Sequence, residues 1–168
     1  MTHDKSNESF AVQRCKLGHG LFTLKSFSAG DFLFAFAGPT ISLAQTIAKG
    51  GNEGNALQIG PESYIDLQPP SVFANHSCDP NAYISNDVQV FALCDIVAGQ
   101  EVRFDYSTTM SECRWTMKCQ CGAPSCRSVV TDFHDLTHDI QDHYLALNAV
   151  QDFIVQECAR RRSPPPAQ

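Results

Sequence analysis

The chain has 168 residues, of which 43% are hydrophobic and 11 are phenylalanine, and its formal net charge is −6 at pH 7. This composition is typical of a folded protein, and the length accommodates one domain with a small appendage. It argues against a general nucleic-acid binder, which needs a basic face, and no stretch approaches the roughly 20 apolar residues of a membrane span. Residues 1–13 are polar without a signal-peptide pattern, so we expect an intracellular protein, cytoplasmic or nuclear.

The first half of the chain predicts short strands. Residues 21–24 and 32–37 are predicted as two strands joined by a turn at residues 29–31. Because residues 32–37 are apolar at every position, we expect that strand to be buried on both faces. Residues 49–55 are rich in glycine and asparagine and predict a flexible loop, whereas residues 64–67 predict a strand that ends before Pro69 and Pro70.

The second half begins with a predicted hairpin, residues 82–86 and 88–94, whose turn lies at Asn86 and Asp87. Residues 100–104 predict another short strand. Many short strands without alternating long helices predict a mostly-β core. Beyond it, one long amphipathic helix and then a solvated tail are predicted from apolar residues at helical spacing: Leu136, Ile140, Tyr144, Leu147, Ile154 and Cys158. A helix that ends in cations explains Arg160–Arg162 without a nucleic-acid contact.

A polar loop at residues 75–81, with the sequence Asn-His-Ser-Cys-Asp-Pro-Asn, lies between apolar stretches. These short polar side chains bond to their own backbone and tolerate tight turns, and the proline rules out a central strand. The loop therefore predicts a shaped binding site at the edge of the core.

Three of the eight cysteines, Cys119, Cys121 and Cys126, lie within eight residues of one another. This crowding indicates metal ligation rather than disulfides, and the other scattered cysteines favour reduced thiols. Structural zinc needs four ligands, and spacing leaves the fourth open: Cys78, Cys113 and His134 are the candidates.

Other features are ambiguous when taken singly. Gly18-His19-Gly20 permits close backbone approach to a ligand, but glycines mark many turns and His19 alone reads as a turn residue. A tyrosine at a strand end, such as Tyr64 or Tyr106, is often a core residue. His134 and His138 have a spacing that can bind metal, but we interpret them as part of an acidic, solvated helix face.

Together and in this order, these elements resemble SET-domain protein-lysine methyltransferases with a zinc-binding post-SET segment. The resemblance spans about residues 10–128 and rests on Gly18-His19-Gly20, Asn75-His76-Ser77-Cys78 with Pro80-Asn81, Gly99-Gln100-Glu101, Phe104-Asp105-Tyr106, and Cys119, Cys121 and Cys126. It implies a mostly-β SET (β-clip) fold in which the loop at residues 75–78 and the segment at residues 104–106 form a pseudoknot. The implied organisation is a flexible N-terminus (1–9), a SET domain (10–112), a post-SET zinc segment (113–128), a C-terminal helical extension (129–162) and a disordered tail (163–168).

The resemblance also implies roles for individual residues. S-adenosylmethionine would bind one face and a substrate lysine would enter a channel from the other, with Tyr106 as the catalytic tyrosine, Tyr64 as a second channel tyrosine and Phe104 favouring di- or trimethylation. The implied cofactor contacts are Gly18, His19, Gly20, Asn75, His76, Tyr106 and Trp115. The implied zinc ligands are Cys78, Cys119, Cys121 and Cys126.

The expected partner is a protein or peptide that bears a lysine, such as a histone tail, without direct nucleic-acid or membrane binding; the oligomeric state stays open. The chain departs from the family at residues 69–74 and 35–37, where usual polar residues are missing, and this concerns the substrate surface more than the chemistry. Two alternatives remain: a SET fold that binds peptides without catalysis, and a cysteine hydrolase that uses Cys78 with His76.

Overall fold

The computed structural model describes residues 9–85 and 88–162. The predicted flexible N-terminus, apart from residue 9, the Asn86-Asp87 turn and the predicted disordered tail therefore lie outside the described residues. The strands are β1 (Phe10–Cys15), β2 (Gly18–Thr23), β3 (Phe32–Ala35), β4 (Thr40–Ser42), β5 (Ala56–Gly60), β6 (Ser63–Asp66), β7 (Asn75–His76), β8 (Ala82–Ser85), β9 (Gln89–Ala92), β10 (Arg103–Phe104), β11 (Met117–Lys118) and β12 (Val129–Val130). The α-helices are α1 (Leu43–Ala48), α2 (His138–Ala146) and α3 (Asp152–Arg162), and short 3₁₀ helices cover Gly50–Asn55, Ser71–Phe73, Tyr106–Thr109 and Phe133–Asp135.

The strands form small sheets around one apolar core. Two sheets have three strands, in the orders β3-β9-β8 and β4-β6-β5, and β1 pairs with β2 as an antiparallel ribbon. The predicted hairpin is confirmed as β8 and β9, and the predicted strand at residues 64–67 is confirmed as β6. The mostly-β fold class is confirmed as well.

The prediction that residues 32–37 form one strand buried on both faces is only partly right. Leu33, Phe34 and Phe36 are buried, but Phe32 is 51% exposed. A shift in the β3–β9 register between Phe32 and Phe34 breaks the period of two. A bulge of this kind turns successive side chains to the same face, which explains why Leu33 and Phe34 are both buried.

The segment before β5 is helical, and the prediction of a loop at residues 49–55 is wrong. Helix α1 begins at a capping box, in which the Ser42 hydroxyl accepts the backbone N–H of Gln45 while the Gln45 side chain accepts the N–H of Ser42. The 3₁₀ helix Gly50–Asn55 follows directly. The serine and glutamine three residues apart were a sequence signal for this helix start.

The single long C-terminal helix was also a wrong prediction, because α2 and α3 are separate. Helix α2 ends where Asn148 adopts a φ of 51°, a left-handed conformation that asparagine tolerates better than most residues. The backbone N–H of Ala149 returns to the carbonyl of Tyr144 at 3.0 Å. The two helices enclose a second apolar cluster made of Phe133, Leu136, Tyr144, Ala149, Val150, Ile154 and Cys158.

Two distant segments meet where β7 and β10 pair in parallel, with Asn75 opposite Arg103 and His76 opposite Phe104. The backbone N–H of Ser77 extends this pairing by donating to the carbonyl of Phe104 at 3.0 Å. The pair places the polar loop beside the Phe-Asp-Tyr segment, as the predicted pseudoknot requires. No helix within the described part of the chain is long and apolar enough to cross a membrane.

Candidate active site

The polar loop is anchored to the Gly-His-Gly strand through the side chain of Asn75. Its Nδ2 donates to the carbonyl of His19 at 2.9 Å and to Oε1 of Glu101 at 2.7 Å. Glu101 lies so close to Gly20 that a Cβ at Gly20 would approach Oε1 to 2.2 Å. Gly18 has a φ of 106°, which suits glycine. The predicted cofactor contacts of residues 18–20, 75 and 76 therefore lie in one region.

A narrow first pocket enters the core between β5, β6 and the Tyr106–Thr109 turn. Its aromatic lining includes Tyr64, Phe104, Tyr106 and Trp115, and Glu112 adds a carboxylate. Tyr64 is only 2% exposed, and its hydroxyl donates to Glu112 Oε2 at 2.5 Å. The three residues predicted to carry catalysis thus surround the same space.

A second pocket lies beyond Tyr106. Its lining combines the apolar side chains of Leu17 and Met117 with polar groups of Asn75 and His76, and the rest comes from Lys118, Gln120 and Cys121. Among the residues that the structure describes, Tyr106 is the one that lines both pockets, so the aromatic pocket and the pocket beside the polar loop meet at this residue.

The phenol of Tyr106 has a fixed hydrogen bond, since its hydroxyl donates to the carbonyl of Ala74 at 2.9 Å. Burial, and secondarily the negative charge of Glu101, raise the pKa of Tyr106 above its ordinary value of 10. Burial and the bond to Glu112 likewise raise the pKa of Tyr64. Both groups therefore remain protonated at neutral pH, with oxygen lone pairs free to accept hydrogen bonds from a ligand.

Sulfur atoms from two distant segments meet beside the second pocket. Cys78 Sγ and Cys119 Sγ are 3.8 Å apart, and Cys121 lies in the same group. Cys126 packs there too and hydrogen-bonds with Cys119 and Cys121. A tetrahedral zinc site with metal–sulfur bonds of about 2.3 Å has sulfur–sulfur edges of about 3.8 Å, so the observed spacing fits zinc.

Backbone amides point at these sulfur atoms, as thiolate ligands require. The N–H groups of Arg127, Cys121 and Ser128 donate to Sγ of Cys78, Cys119 and Cys126 at 3.4, 3.5 and 3.4 Å, respectively. Burial raises the pKa of the Cys78 and Cys119 thiols, so both thiols stay protonated unless a bound cation stabilises the thiolates. Although burial also acts on Cys121, hydrogen bonds from backbone amides and neighbouring thiols lower its pKa to about 6.

His76 belongs to the same group of potential metal ligands. Its hydrogen bonds show which ring nitrogen carries the proton. Its Nδ1 accepts the backbone N–H of Tyr106 at 3.2 Å. A neutral imidazole then carries its proton on Nε2, which lies 3.3 Å from Cys78 Sγ and donates to it. Burial lowers the pKa of His76 to about 4, although Asp105 acts in the opposite direction, so the neutral form prevails. A protonated Nε2 offers no lone pair to a metal, and Cys126 is the remaining cysteine of the cluster.

The 3.3 Å contact between His76 and Cys78 also bears on the cysteine-hydrolase alternative. The contact joins the two side chains that this alternative requires. However, the Cys78 sulfur lies among three other cysteines, where a metal would occupy its lone pairs, and this argues against a free nucleophile.

The structure also locates Trp115, Cys113 and His134. Trp115, predicted as a cofactor contact, lines the first pocket and packs against Gly54, so it belongs to the opposite side of Tyr106. Cys113 is exposed and outside the sulfur cluster. His134 contacts Glu157 at 3.3 Å instead of a metal site or the solvated face expected for it.

Sequence reasoning missed the residue that organises the site, Asp105, which is 1% exposed. Its Oδ1 accepts from Arg127 at 2.7 Å and from the N–H of Ser107 at 3.1 Å, and its Oδ2 accepts the hydroxyl of Tyr144 at 2.9 Å. Burial and the Asp105 carboxylate raise the pKa of Tyr144, which keeps this donor protonated. An acidic residue inside an apolar-aromatic motif was the signal, because a buried charge needs partners.

The chain belongs to the SET domain family, since the family model matches residues 18–107, more than half of the chain. It is 34% identical over 126 residues to histone-lysine N-methyltransferase NSD3 of Mus musculus and 30% identical over 133 residues to histone-lysine N-methyltransferase TRX1 of Oryza sativa. These matches cover 65% and 68% of this chain but only 9% and 13% of the relatives, so the chain spans a small part of their length.

A solved structure, that of SUVH6 of Arabidopsis thaliana in complex with SAM, has a similar fold. The TM-score is 0.63 at 24% sequence identity, over 73% of this chain and 33% of the other. This likeness is one of fold. Cys119, Cys121 and Cys126 of the sulfur cluster, and helices α2 and α3, lie outside the matched family region, whereas Cys78 lies inside it.

Proposed function

We propose that this chain is a protein-lysine N-methyltransferase that uses S-adenosylmethionine. One observation carries the proposal: two pockets meet at the phenol of Tyr106, one aromatic and one beside the polar loop. A group-transfer enzyme of this kind needs donor and acceptor on opposite sides of one point. The names of the histone-lysine methyltransferase relatives support the same activity.

The second pocket suits the cofactor, whose sulfonium supplies an electrophilic methyl carbon when bound. The apolar side chains of Leu17 and Met117 and the polar groups of Asn75 and His76 match a ligand with an aliphatic chain and polar ends. Lys118 supplies a cation for a carboxylate. The Gly18-His19-Gly20 strand is held against this region through Asn75.

The first pocket suits a lysine side chain. An exposed lysine has a pKa of about 10.4 and no free lone pair at neutral pH, whereas burial among aromatic side chains favours the neutral amine. Tyr64 and Tyr106 both keep their protons, so neither removes the proton from the amine. Instead, their oxygen atoms accept hydrogen bonds from the amine N–H groups and orient its lone pair toward the methyl carbon.

We also propose that the post-SET segment binds zinc through Cys78, Cys119, Cys121 and Cys126. The sulfur spacing, the amide donors and the tautomer of His76 support this ligand set. Since Cys121 also lines the second pocket, the metal holds one wall of the cofactor site.

The finer specificity follows from Phe104, whose ring centroid lies 4.8 Å from that of Tyr106. A tyrosine hydroxyl at this position would anchor a water beside the amine and occupy the space of an added methyl group. Phenylalanine leaves that space free, so we propose di- or trimethylation. The names of the relatives make a histone the first candidate substrate. We propose an intracellular location, cytoplasmic or nuclear.

The test uses methyl-labelled S-adenosylmethionine with the purified chain, recombinant histones and a whole-cell lysate. We expect label on a lysine, and a loss of about 10²-fold in kcat for Tyr106→Phe with cofactor affinity retained. Tyr83→Phe, at a half-buried position of β8 that lines neither pocket, is the matched control. Cofactor binding without transfer to any protein would contradict the proposed activity, and peptide binding without cofactor would favour the non-catalytic alternative.

A further inference from the structure

Residues 105–113 form one side of the first pocket without the support of a sheet. Tyr106, Thr109, Met110 and Glu112 line the pocket, yet only Tyr106–Thr109 is regular, as a single 3₁₀ turn. Such a segment keeps its shape only where other parts of the chain satisfy its backbone groups.

The C-terminal extension supplies these partners. The bonds run from Phe133 N–H to the Met110 carbonyl (3.0 Å), from Gln151 N–H to the Thr108 carbonyl (3.3 Å), from Glu112 N–H and Cys113 N–H to the Asp132 carboxylate (3.2 and 2.6 Å), and from the Ser111 hydroxyl to Glu157. Residues before and after α2 therefore hold the pocket wall from its outer side.

The contact nearest the chemistry is made by Tyr144, near the end of α2. Its hydroxyl donates to Asp105, and both side chains are almost completely buried. Asp105 precedes Tyr106 and caps the 3₁₀ turn that Tyr106 begins. Asp105 also holds Arg127, whose backbone N–H donates to the Cys78 sulfur.

We infer that Tyr144 is a positioning residue for the transfer reaction: through Asp105 it fixes the backbone from which the Tyr106 phenol projects. The inference rests on the proposed function, because it concerns that site. The C-terminal extension is then a working part of the active site rather than a separate appendage. A hydrogen bond to a buried carboxylate in a fixed geometry is strong enough to hold such a turn in place.

The experiment compares Tyr144→Phe with Tyr83→Phe, which removes the same hydroxyl from a tyrosine that packs on the same apolar cluster. Tyr83 is not among the hydrogen-bond partners of Asp105 within residues 9–85 and 88–162. For Tyr144→Phe we expect kcat to fall about tenfold while KM for the cofactor and the zinc content stay unchanged. The control keeps the kcat of the wild type.

Amide hydrogen exchange gives a second readout that needs no turnover. In Tyr144→Phe we expect faster exchange over residues 105–110 than in the control, with unchanged exchange in β8 and β9. The inference would be overturned if Tyr144→Phe kept the exchange rates of the wild type over residues 105–110 or kept the wild-type kcat. It would also be overturned if the loss of kcat followed a loss of zinc. If the wild type transfers no methyl group, the proposed function fails, and the exchange result still decides whether Tyr144 holds this segment.

Discussion

The two pockets that share Tyr106 are built in different ways. Part of the lining of the first comes from the strands of the core: Tyr64 lies on β6, Phe104 on β10, and both are buried. Half of the second pocket comes from residues 117–121, which carry only the two-residue pairing of β11 with β12. The first is therefore held by apolar packing and hydrogen bonds, whereas the second depends on the sulfur cluster. Substrate recognition and cofactor binding should consequently respond to different perturbations.

Removal of the proposed zinc should have the largest effect on activity. It should disrupt the second pocket and leave the first intact. With a chelator or Cys121→Ser, we expect methyl transfer and cofactor binding to be lost, because structural zinc supplies about 10–16 kcal/mol of apparent binding free energy. Calorimetric titration with the cofactor and far-ultraviolet circular dichroism provide the measurement. The sheets should persist.

The matched control is Cys94→Ser, which changes an exposed cysteine that is not part of the cluster and should behave as the wild type. Normal cofactor affinity in a zinc-free protein would show that residues 117–121 hold their shape without a metal and would remove the distinction between the pockets.

A change of pH should have an effect of intermediate size on kcat/KM, through the amine that binds in the first pocket. Burial raises the pKa values of Tyr64 and Tyr106, so both phenols stay protonated as pH rises, and of these three groups the substrate amine is the one that titrates. We expect kcat/KM for a lysine peptide to rise about tenfold per pH unit between pH 7 and 9.

Initial rates at low peptide concentration measure this profile, with a return to pH 7.5 as the check that the protein survives. A decline below pH 10 that Tyr64→Phe abolishes would mean that a phenol ionises in the working range, contrary to its buried environment.

The smallest effect on rate, but a clear one on product, is expected for Phe104→Tyr. Mass spectrometry of the peptide should show di- or trimethyl-lysine for the wild type and a shift toward monomethyl-lysine for the variant, with the first transfer changed only a few-fold. Phe91→Tyr, on β9 outside both pockets, is the control. A wild type and a variant that both stop after one methyl group would refute the proposed role of Phe104.

The parts that sequence predicted best are those in which local chemistry decides the structure. The hairpin of β8 and β9 follows from alternation and a turn-prone pair, and the polar loop follows from its residue types. The cysteine spacing likewise indicated a common site. These features depend on a few residues that are close in sequence, so tertiary contacts do not override their local preferences.

The predictions were wrong or incomplete where the local structure depends on contacts between distant residues or on a helix cap that was overlooked. The bulge in β3 depends on its pairing with β9, and the division of the C-terminal helix depends on a single left-handed residue, Asn148. The role of Asp105 needed partners from residues 127 and 144, which are not near it in sequence. Helix α1 was predictable from Ser42 and Gln45, yet no element was predicted for residues 43–48.

The most direct test of the account is a crystal structure with S-adenosylhomocysteine and a lysine peptide bound together. We predict that the thioether sulfur lies in the pocket of Asn75 and Cys121, that the lysine nitrogen lies between Tyr64 and Phe104, and that both approach the Tyr106 hydroxyl from opposite sides. Both ligands on the same side of Tyr106, or a lysine outside the aromatic pocket, would contradict it.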